Sequence, residues 1–452
     1  MSLPIERPVT SDQASPDRLR QARTVLAASF IGTAFEWYDF FIYASASALV
    51  FGPLFFPNVS EFAGTLAAFS TFAVGFIARP LGGMIIGHFG DRVGRKHMLV
   101  FCLLTMGLAT VLIGLLPTYH QIGIWAPVLL VVLRILQGIG IGGEWGGAVL
   151  MAVEYAPPNR RGLYGGFVQI GNPAGLILAN LAFLAVVALV PDEEFLTWGW
   201  RIPFIASAVL VAVGLGIRLR LEETPIFREA KSRLPKRERL PLADVVRSHW
   251  RQVLTGGLVL AANAMMGYIL IAYVLSYGTS QLGIPRGTMI TQVLIASAVW
   301  LATCLLFAHW SDRFGRRRVY IWGAVGGLLW AFPLFMLIDT KEPLLIGVAL
   351  SVFAVPLAAG YSPIAALLSE LFPTRLRYTG NSLAYQVGTL LGGAFVPIIG
   401  TTLFEVTRTS LAISAYVCVA IAIGLAAIRF VPETSRIALE DIVDRSEGAG
   451  SS

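Results

Sequence analysis

Residues 87–96 read GHFGDRVGRK, and residues 308–317 read AHWSDRFGRR. The two stretches share His, Asp, Arg, Gly and Arg in the same order and at the same spacing, and each lies between two long apolar runs. Because a charged stretch between two apolar runs is typical of a short loop between membrane helices, each copy predicts a helical hairpin. The repeat therefore predicts a chain built from two similar helical halves.

The amino-acid composition is that of a membrane protein. The chain has 452 residues, of which 56% are hydrophobic and 13% are charged, whereas soluble domains carry about 25% charged residues. A helix needs about 20 apolar residues to cross the hydrocarbon region of a bilayer. By that rule the sequence predicts an all-α membrane protein with twelve transmembrane helices in two six-helix bundles.

One long polar segment separates the two halves of the chain. We expect an N-terminal tail at residues 1–24, a first bundle at 25–221, a central loop at 222–251, a second bundle at 252–430 and a C-terminal tail at 431–452. Since the apolar run behind the N-terminal tail is long enough to span a membrane, we expect no cleaved signal peptide.

The basic residues predict the orientation in the membrane. Most of the 34 Lys and Arg residues fall in the tails, the central loop and the hairpins, and short cytoplasmic loops accumulate Lys and Arg. We therefore expect a multi-pass inner-membrane protein with both termini in the cytoplasm. The net charge of +7 is explained by this topology, so no nucleic-acid partner is expected. The glycine spacings fit packing within each bundle, and we expect a monomer.

The two hairpins combine acids, bases and turn-forming glycines. Asp91 is placed to accept hydrogen bonds from an arginine or from the backbone N–H groups that begin a neighbouring helix. We interpret the hairpins as a cytoplasmic gate that locks the two bundles; the alternative is a plain positively charged loop. Ser311 stands where the first copy has Gly90, so we expect the second hairpin to be the looser one. The gate residues are Gly87, Asp91, Arg92, Gly94, Arg95, Asp312, Arg313, Gly315 and Arg316.

Five stretches resemble a known family. Residues 87–96 resemble the signature between helices two and three of the major facilitator superfamily, and Arg134-x-x-Gln137-Gly138-x-Gly140 resembles its fourth-helix signature. Residues 35–40 (FEWYDF), 78–83 (ARPLGG) and 142–147 (GGEWGG) resemble the metabolite:proton symporters within it. That group includes transporters of α-ketoglutarate, citrate, shikimate, and proline or glycine betaine. The resemblance implies two bundles that transport a small metabolite with protons by alternating access.

Charged residues inside the predicted helices mark candidate sites. A charge at the bilayer centre costs about 2.5–3.5 kcal/mol on insertion scales, so each of them requires a partner or a function. A carboxylate buried without a partner favours its protonated form, which makes Asp39, Glu36 and Glu144 the candidates for proton coupling. Arg79 either binds an anionic substrate or serves as the counter-ion of such an acid, and Arg134 and Glu144 form a second pair.

These two cations and three acids can neutralise one another around a polar cavity between the bundles. Ion pairs that only fix the helix register are the alternative. Polar residues on other helices could line the same cavity, although tyrosines are also common at membrane interfaces. The predicted substrate-binding residues are Arg79, Arg134, Tyr43, Gln137, Gln169, Asn172, Asn263 and Tyr385.

The remaining function classes are distinguished by motifs that the sequence lacks. It contains no Gly-x-x-x-x-Gly-Lys-Ser/Thr motif, no metal-spaced His or Cys cluster and no catalytic triad pattern, so we expect neither an enzyme nor an ATP-driven pump, with no cofactor beyond a proton gradient.

We therefore predict a secondary transporter that imports a small organic metabolite with protons, with a carboxylate such as a shikimate-like or di/tricarboxylic acid as the first candidate. A proton-driven exporter of amphipathic compounds and an osmolyte symporter for proline or betaine are the alternatives.

Overall fold

The computed structural model describes residues 16–93, 95–142, 145–154, 156–157, 159–220, 241–373 and 376–437. Within these ranges, side chains are described except at residues 16–29, 84–85, 87–93, 95–97, 99, 151, 192, 217–220 and 241–243. The predicted all-α architecture is confirmed, since every regular element in these ranges is helical.

The first half of the chain forms six long helices. They are α1 (Pro16–Leu49), α2 (Glu61–Val93), α3 (Arg95–Leu115), α4 (Trp125–Glu154), α5 (Arg161–Leu189) and α6 (Arg201–Arg220). Within α4 the described helical segments are Trp125–Ile141 and Trp145–Glu154. Short helices at Phe51–Phe55, Tyr119–Ile122 and Asp192–Glu194 and a π-helical turn at Phe195–Gly199 lie between the long ones.

The second half repeats this order. After a short helix at Pro241–Ser248 come α7 (Trp250–Gln281), α8 (Arg286–Phe314), α9 (Arg316–Ile338), α10 (Pro343–Glu370), α11 (Arg377–Thr407) and α12 (Leu411–Ile428). π-Helical turns interrupt α7 at Ile269–Tyr273 and Tyr277–Gln281, and α11 at Leu390–Ala394.

Twelve helices thus match the twelve predicted spans. Ten of them are long and apolar enough, in the described residues, to cross a membrane, and the described part of α3, Val100–Leu115, is a shorter apolar helix. Among the helix ends that differ from the predicted spans, α1 begins at Pro16 rather than at residue 25. Residues 241–248, inside the predicted central loop, are also helical. Hydropathy marks only the part of a helix that lies in lipid, so it misses polar extensions and surface helices.

Each bundle is held together by neighbouring helices, and the two bundles meet along four main helix pairs. In the first bundle α1 packs on α5, α2 on α4, and α3 on α4 and α6; in the second, α7 packs on α11 and α12, and α10 on α8 and α9. The contacts between bundles join α5 to α8, α2 to α11, α1 to α7 and α4 to α11. A central site would lie on the surface between the bundles that these four helix pairs form.

Glycines bring α2 and α4 unusually close together. A Cβ at Gly138 would lie 2.3 Å from the carbonyl oxygen of Gly75, and a Cβ at Gly142 would lie 2.1 Å from that of Arg79. A Cβ at Gly75 would lie 2.4 Å from Nε of Arg134. Because small residues let helix backbones approach closely, these glycines allow two arginines on neighbouring helices to share one buried space.

A single glycine forms the turn of the second hairpin. α8 ends at Phe314 and α9 begins at Arg316, and Gly315 between them has a φ of 100° and a ψ of 153°. Only glycine adopts this conformation readily. The predicted tight turn is confirmed for this copy, and Asp312 lies in the last turn of α8 rather than in a loop. We call the end of the molecule that carries this turn the hairpin face and the opposite end the far face.

Candidate functional site

Arg79 on α2 lies in an aromatic pocket inside the molecule. Its side chain is 1% exposed, and its Cζ lies 4.4 Å from the ring centroid of Phe40, 4.5 Å from that of Phe76 and 5.9 Å from that of Trp37. Guanidinium groups within about 6 Å of an aromatic ring are attracted by the ring's quadrupole. These rings thus stabilise a charge that would otherwise be costly to bury.

Arg134 on α4 lies on the other side of the same aromatic group. Its Cζ is 4.0 Å from the ring centroid of Tyr43, 4.7 Å from that of Phe40 and 5.0 Å from that of Phe72. One of its amino groups, Nη1, donates a hydrogen bond to Oε1 of Gln137. Both arginines therefore contact the Phe40 ring.

Several N–H groups of the two arginines have no hydrogen-bond partner among the described residues. They are carried by Nε and Nη2 of Arg79 and by Nε and Nη2 of Arg134. Among the described residues, neither arginine forms an ion pair with Asp39, so the counter-ion role suggested for Arg79 stays a prediction. Two buried cations with unused donors can hold an anionic group with charge-assisted hydrogen bonds.

Asp39 on α1 faces neighbouring hydroxyl groups instead of the arginines. Its side chain is 2% exposed, and its carboxyl group lies next to the hydroxyls of Thr110 on α3 and Ser207 on α6, with Glu36 one turn away. The Thr110 hydroxyl lies 2.9 Å from the carbonyl oxygen of Met106, and the Ser207 hydroxyl 2.8 Å from that of Phe204. Each hydroxyl thus already has a backbone acceptor for its single proton.

Glu36 is 9% exposed and lies beside Asp39 on the face predicted from the sequence. Glu144, the third predicted proton-coupling residue, lies outside the described residues, as does the pairing with Arg134 that the sequence suggested.

Three predicted residues lie together where the bundles meet. Gln169 on α5 donates to the carbonyl oxygen of Tyr361 at 3.0 Å and accepts from the indole of Trp145 at 3.3 Å. Asn172 donates to the hydroxyl of Tyr361 at 3.3 Å. Tyr385 on α11 stacks on Trp145 with ring centroids 3.5 Å apart. These contacts join α4 and α5 of the first bundle to α10 and α11 of the second.

Of the other predicted binding residues, Tyr43 and Gln137 contact Arg134, whereas Asn263 lies within the second bundle. The Tyr43 hydroxyl donates a 2.6 Å hydrogen bond to Thr71, and its ring packs against the guanidinium group of Arg134. Gln137 accepts from Arg134 and donates to the Thr110 hydroxyl at 2.8 Å. Asn263 donates to the carbonyl oxygen of Leu357 at 3.0 Å. This bond lies within the second bundle, between α7 and α10, so the structure does not bring Asn263 into contact with the arginines.

The second hairpin binds the first bundle through Asp312. Its two carboxylate oxygens accept hydrogen bonds from the backbone N–H groups of Gly162, at 2.7 Å, and Leu163, at 2.9 Å, in the first turn of α5. Arg316 donates to the same carboxylate at 2.7 Å. Asp312 of the second copy thus makes the kind of interaction that the sequence suggested for Asp91, with a helix start and an arginine.

Glu370 at the end of α10 links the remaining charges on the hairpin face. It forms ion pairs with Arg316 at 3.3 Å and with Arg161 at 3.6 Å, and it accepts a 2.5 Å hydrogen bond from Thr434. Arg161 also donates to the carbonyl oxygen of Ile437 at 2.8 Å. The segment after α12 therefore contacts both bundles.

Of the other gate residues, Arg313 lies outside this network. Arg313 is exposed, with its Cζ 5.4 Å from the Phe314 ring centroid. The side chains of Gly87, Asp91, Arg92 and Arg95, and the whole of Gly94, lie outside the described residues. The expectation that the second hairpin is the looser one therefore stays a prediction.

A cleft of about 200 Å³ lies at the far face. Its walls come from the start of α2, with Glu61 and Thr65, and from the ends of α7 and α11, with Tyr277 and Arg408. On the hairpin face, by contrast, the bundles are joined by the ion pairs and hydrogen bonds described above. The described part of the chain is thus closed on the hairpin face and indented on the far face.

Sequence reasoning missed the aromatic rings that surround the arginines and the two hydroxyls beside Asp39. Phe72, Phe76 and Arg79 follow one another at spacings of four and three on α2, which puts them on one helix face. That spacing could have indicated the cation–π contacts. No comparable signal marks Thr110 or Ser207, because their contact with Asp39 depends on how three helices pack.

Residues 29–397 match the Major Facilitator Superfamily. The chain belongs to this family. It is 43% identical over 386 residues to the inner membrane metabolite transport protein YhjE of Escherichia coli, with 84% of this chain and 87% of that protein covered. It is 42% identical over 388 residues to the shikimate transporter of E. coli, with 85% and 88% covered.

More distant matches agree with this assignment. The chain is 34% identical over 412 residues to the proline/betaine transporter of E. coli, with 89% of this chain and 82% of that protein covered. The fold resembles that of the E. coli proton:xylose symporter XylE bound to 6-bromo-6-deoxy-D-glucose, with a TM-score of 0.73, 19% identity, and 94% and 99% of the two chains covered. The protein is therefore a multi-pass membrane transporter of the metabolite-transporting type, and not an enzyme.

Proposed function

We propose that this transporter imports a small organic acid together with protons, by alternating access. The observation that carries the proposal is the pair of buried guanidinium groups on Arg79 and Arg134, with N–H donors unused among the described residues. Because an arginine stays charged and binds a carboxylate with directed hydrogen bonds, these two side chains are suited to an anionic substrate. Gln169, Asn172 and Tyr385 would line the same interface.

Asp39 is the residue we propose to carry the coupled proton. The neighbouring Thr110 and Ser207 hydroxyls can give their protons to backbone carbonyl oxygens, so either of them can accept the single hydrogen bond that a protonated Asp39 donates. An ionised Asp39 would have to compete for those protons. The surroundings therefore favour a carboxyl group that holds a proton in this conformation, with Glu36 and Glu144 as further candidates for the pathway.

The two faces of the molecule suggest how access alternates. The hairpin face, which we assign to the cytoplasm together with both termini, is closed by Asp312, Arg316 and Glu370, whereas the far face carries the open cleft. Loading from the far face would be followed by loss of the hairpin contacts. Asp91, Arg92, Gly94 and Arg95 are proposed to act in the same way in the first hairpin. No cofactor is needed beyond the proton gradient across the inner membrane.

The same geometry favours a carboxylate over a quaternary ammonium compound. Aromatic rings can bind such cations, but here the rings of Phe40, Phe76 and Tyr43 already face the two guanidinium groups. The similarity to a shikimate transporter at 42% identity agrees with an organic acid. We therefore place proline- or betaine-like substrates second.

Uptake by purified protein in liposomes tests this proposal. Labelled shikimate, α-ketoglutarate, citrate, proline and glycine betaine would each be offered with and without an inward proton gradient. We expect one of the acids to accumulate only when the gradient is present. Accumulation of betaine alone, or gradient-driven export of a cationic dye with no uptake of any acid, would contradict the proposal.

A further inference from the structure

A chain of polar side chains connects Arg134 to Asp39 across three helices. Arg134 on α4 donates to Oε1 of Gln137, and Nε2 of Gln137 donates to the Thr110 hydroxyl on α3 at 2.8 Å. Thr110 in turn lies next to the carboxyl group of Asp39 on α1. Gln137 also approaches the backbone of Asp39, with Nε2 3.4 Å from the carbonyl oxygen.

The direction of these hydrogen bonds is fixed by Arg134. A guanidinium has only donors, so the amide oxygen of Gln137 must face it, and the amide nitrogen must then face Thr110. The Thr110 oxygen therefore accepts from Gln137 and keeps one proton of its own. That proton can go to the carbonyl oxygen of Met106, at 2.9 Å, or to an ionised Asp39.

We infer that Thr110 is the positioning residue that links the binding of an anion at Arg134 to the protonation of Asp39. This inference rests on the proposed role of Asp39. When Asp39 is ionised, every hydrogen bond from Arg134 to Asp39 is donated in the direction of the carboxylate, and each bond polarises the next. When an anion binds Arg134, this stabilisation of the ionised Asp39 weakens. Asp39 then takes up a proton, and the Thr110 hydroxyl turns to the carbonyl oxygen of Met106.

The consequence is a thermodynamic linkage between substrate and proton. A substrate anion that promotes protonation of Asp39 must itself bind more tightly when Asp39 is protonated. The two therefore load together, which is what symport requires. Among the described residues, the charged group that faces Asp39 is Glu36 on the same helix, whereas α3 and α6 contribute the neutral hydroxyls of Thr110 and Ser207.

A titration that needs no substrate tests the linkage. The protonated carboxyl group of Asp39 has an infrared C=O band, which is assigned by its loss in Asp39→Asn. We expect Arg134→Gln to move the pH midpoint of this band upward by about one unit, equivalent to a tenfold coupling. In a Thr110→Val background the same Arg134→Gln change should move it by much less, and Thr110→Ser should restore the shift.

Two matched variants separate this linkage from general effects of mutation. Ser207 also lies beside Asp39 but has no hydrogen bond to Gln137, so in Ser207→Ala the response to Arg134→Gln should persist. If Thr110→Val does not fold, Thr110→Ala takes its place, because it removes the same hydroxyl and should reduce the response to Arg134→Gln in the same way. Equal shifts with and without the Thr110 hydroxyl would overturn the inference and leave the proposed function standing, whereas a band that never titrates would overturn both.

Discussion

Asp312 of the second bundle holds the start of a helix in the first bundle, because its carboxylate accepts the backbone N–H of Gly162 at 2.7 Å. The N-terminus of α5 carries a partial positive charge and unsatisfied N–H groups. A carboxylate there is bound by charge and by hydrogen bonds together. This contact closes the hairpin face and must break when the bundles separate.

Asp312→Asn should therefore shift the protein away from the conformation closed on the hairpin face. The neutral amide loses the charge-assisted bonds to α5 and to Arg316, at a cost of about 1–3 kcal/mol. Spin labels on Arg160→Cys and Arg318→Cys, both exposed positions, in a background without the three native cysteines, would report the separation. We expect Asp312→Asn to increase the population of molecules in which the two labels are far apart. Arg313→Gln, an exposed change outside the network, is the control, and equal distance distributions in the two variants would contradict the gate.

Gly315→Ala should lower the thermal stability of the protein. The backbone at Gly315 has a φ of 100°, where a side chain costs about 1–3 kcal/mol, and a new Cβ would lie 2.6 Å from Oε2 of Glu433. Gly216→Ala on α6, where a Cβ meets nothing within 4 Å, is the matched control. We expect a drop of several degrees in the melting temperature for Gly315→Ala alone. Equal melting temperatures for Gly315→Ala and Gly216→Ala would contradict the requirement for glycine at this turn.

The sequence predicted the helices well because lipid imposes a simple rule on them. Any segment that crosses the hydrocarbon must be long, apolar and helical, so twelve apolar runs became twelve helices. The hairpin repeat was equally informative, since an acid placed before a turn glycine can reach a neighbouring helix start. Asp312 and Gly315 have this arrangement in the second copy.

The partners of the buried charges were harder to predict. The sequence places Glu36, Asp39, Arg79 and Arg134 inside helices, and pairing them by opposite charge was the simplest expectation. The structure instead surrounds the arginines with Phe40, Phe72 and Phe76 and turns Asp39 toward α3 and α6. The side of a helix that meets a given neighbour is decided by packing over the whole bundle, and local spacing does not contain that information.

The contact between Glu433 and the second hairpin should persist at neutral pH and fail only in acid. Burial alone would raise the pKa of Glu433, but hydrogen bonds from the backbone N–H groups of Arg316, Ser435 and Arg317 outweigh it and hold the pKa below its ordinary value of 4.5. A lowered pKa means stability that is present above pH 4.5 and lost as the pH falls through the lower value in the folded protein.

Hydrogen exchange of residues 431–437 measures this dependence. We expect constant protection between pH 8 and pH 5 after correction for the intrinsic exchange rate, and a progressive loss as the pH falls below 4.5. Glu433→Gln should already show the loss at neutral pH. Protection that falls between pH 8 and pH 6 in the unmodified protein would show that another group controls the contact.

Phe40→Leu should weaken substrate binding without unfolding the protein. The Phe40 ring faces both Arg79 and Arg134, and a desolvated cation–π contact contributes about 2 kcal/mol. Leucine fills most of the volume but leaves both guanidinium groups without this support. We expect KM to rise about tenfold or more, equivalent to about 1.4 kcal/mol, for the acid that accumulates in the liposome assay. Phe55→Leu replaces a buried ring that packs on Phe51 and Trp200, and its KM should stay close to that of the unmodified protein.

Asp39→Asn tests most directly whether proton coupling resides at Asp39. Asparagine cannot release a proton but keeps nearly the same shape, so the transporter should still exchange substrate across the membrane. We expect this variant in liposomes to retain counterflow exchange of the labelled acid and to lose all accumulation driven by an inward proton gradient. Gradient-driven accumulation equal to that of the unmodified protein would contradict the role of Asp39.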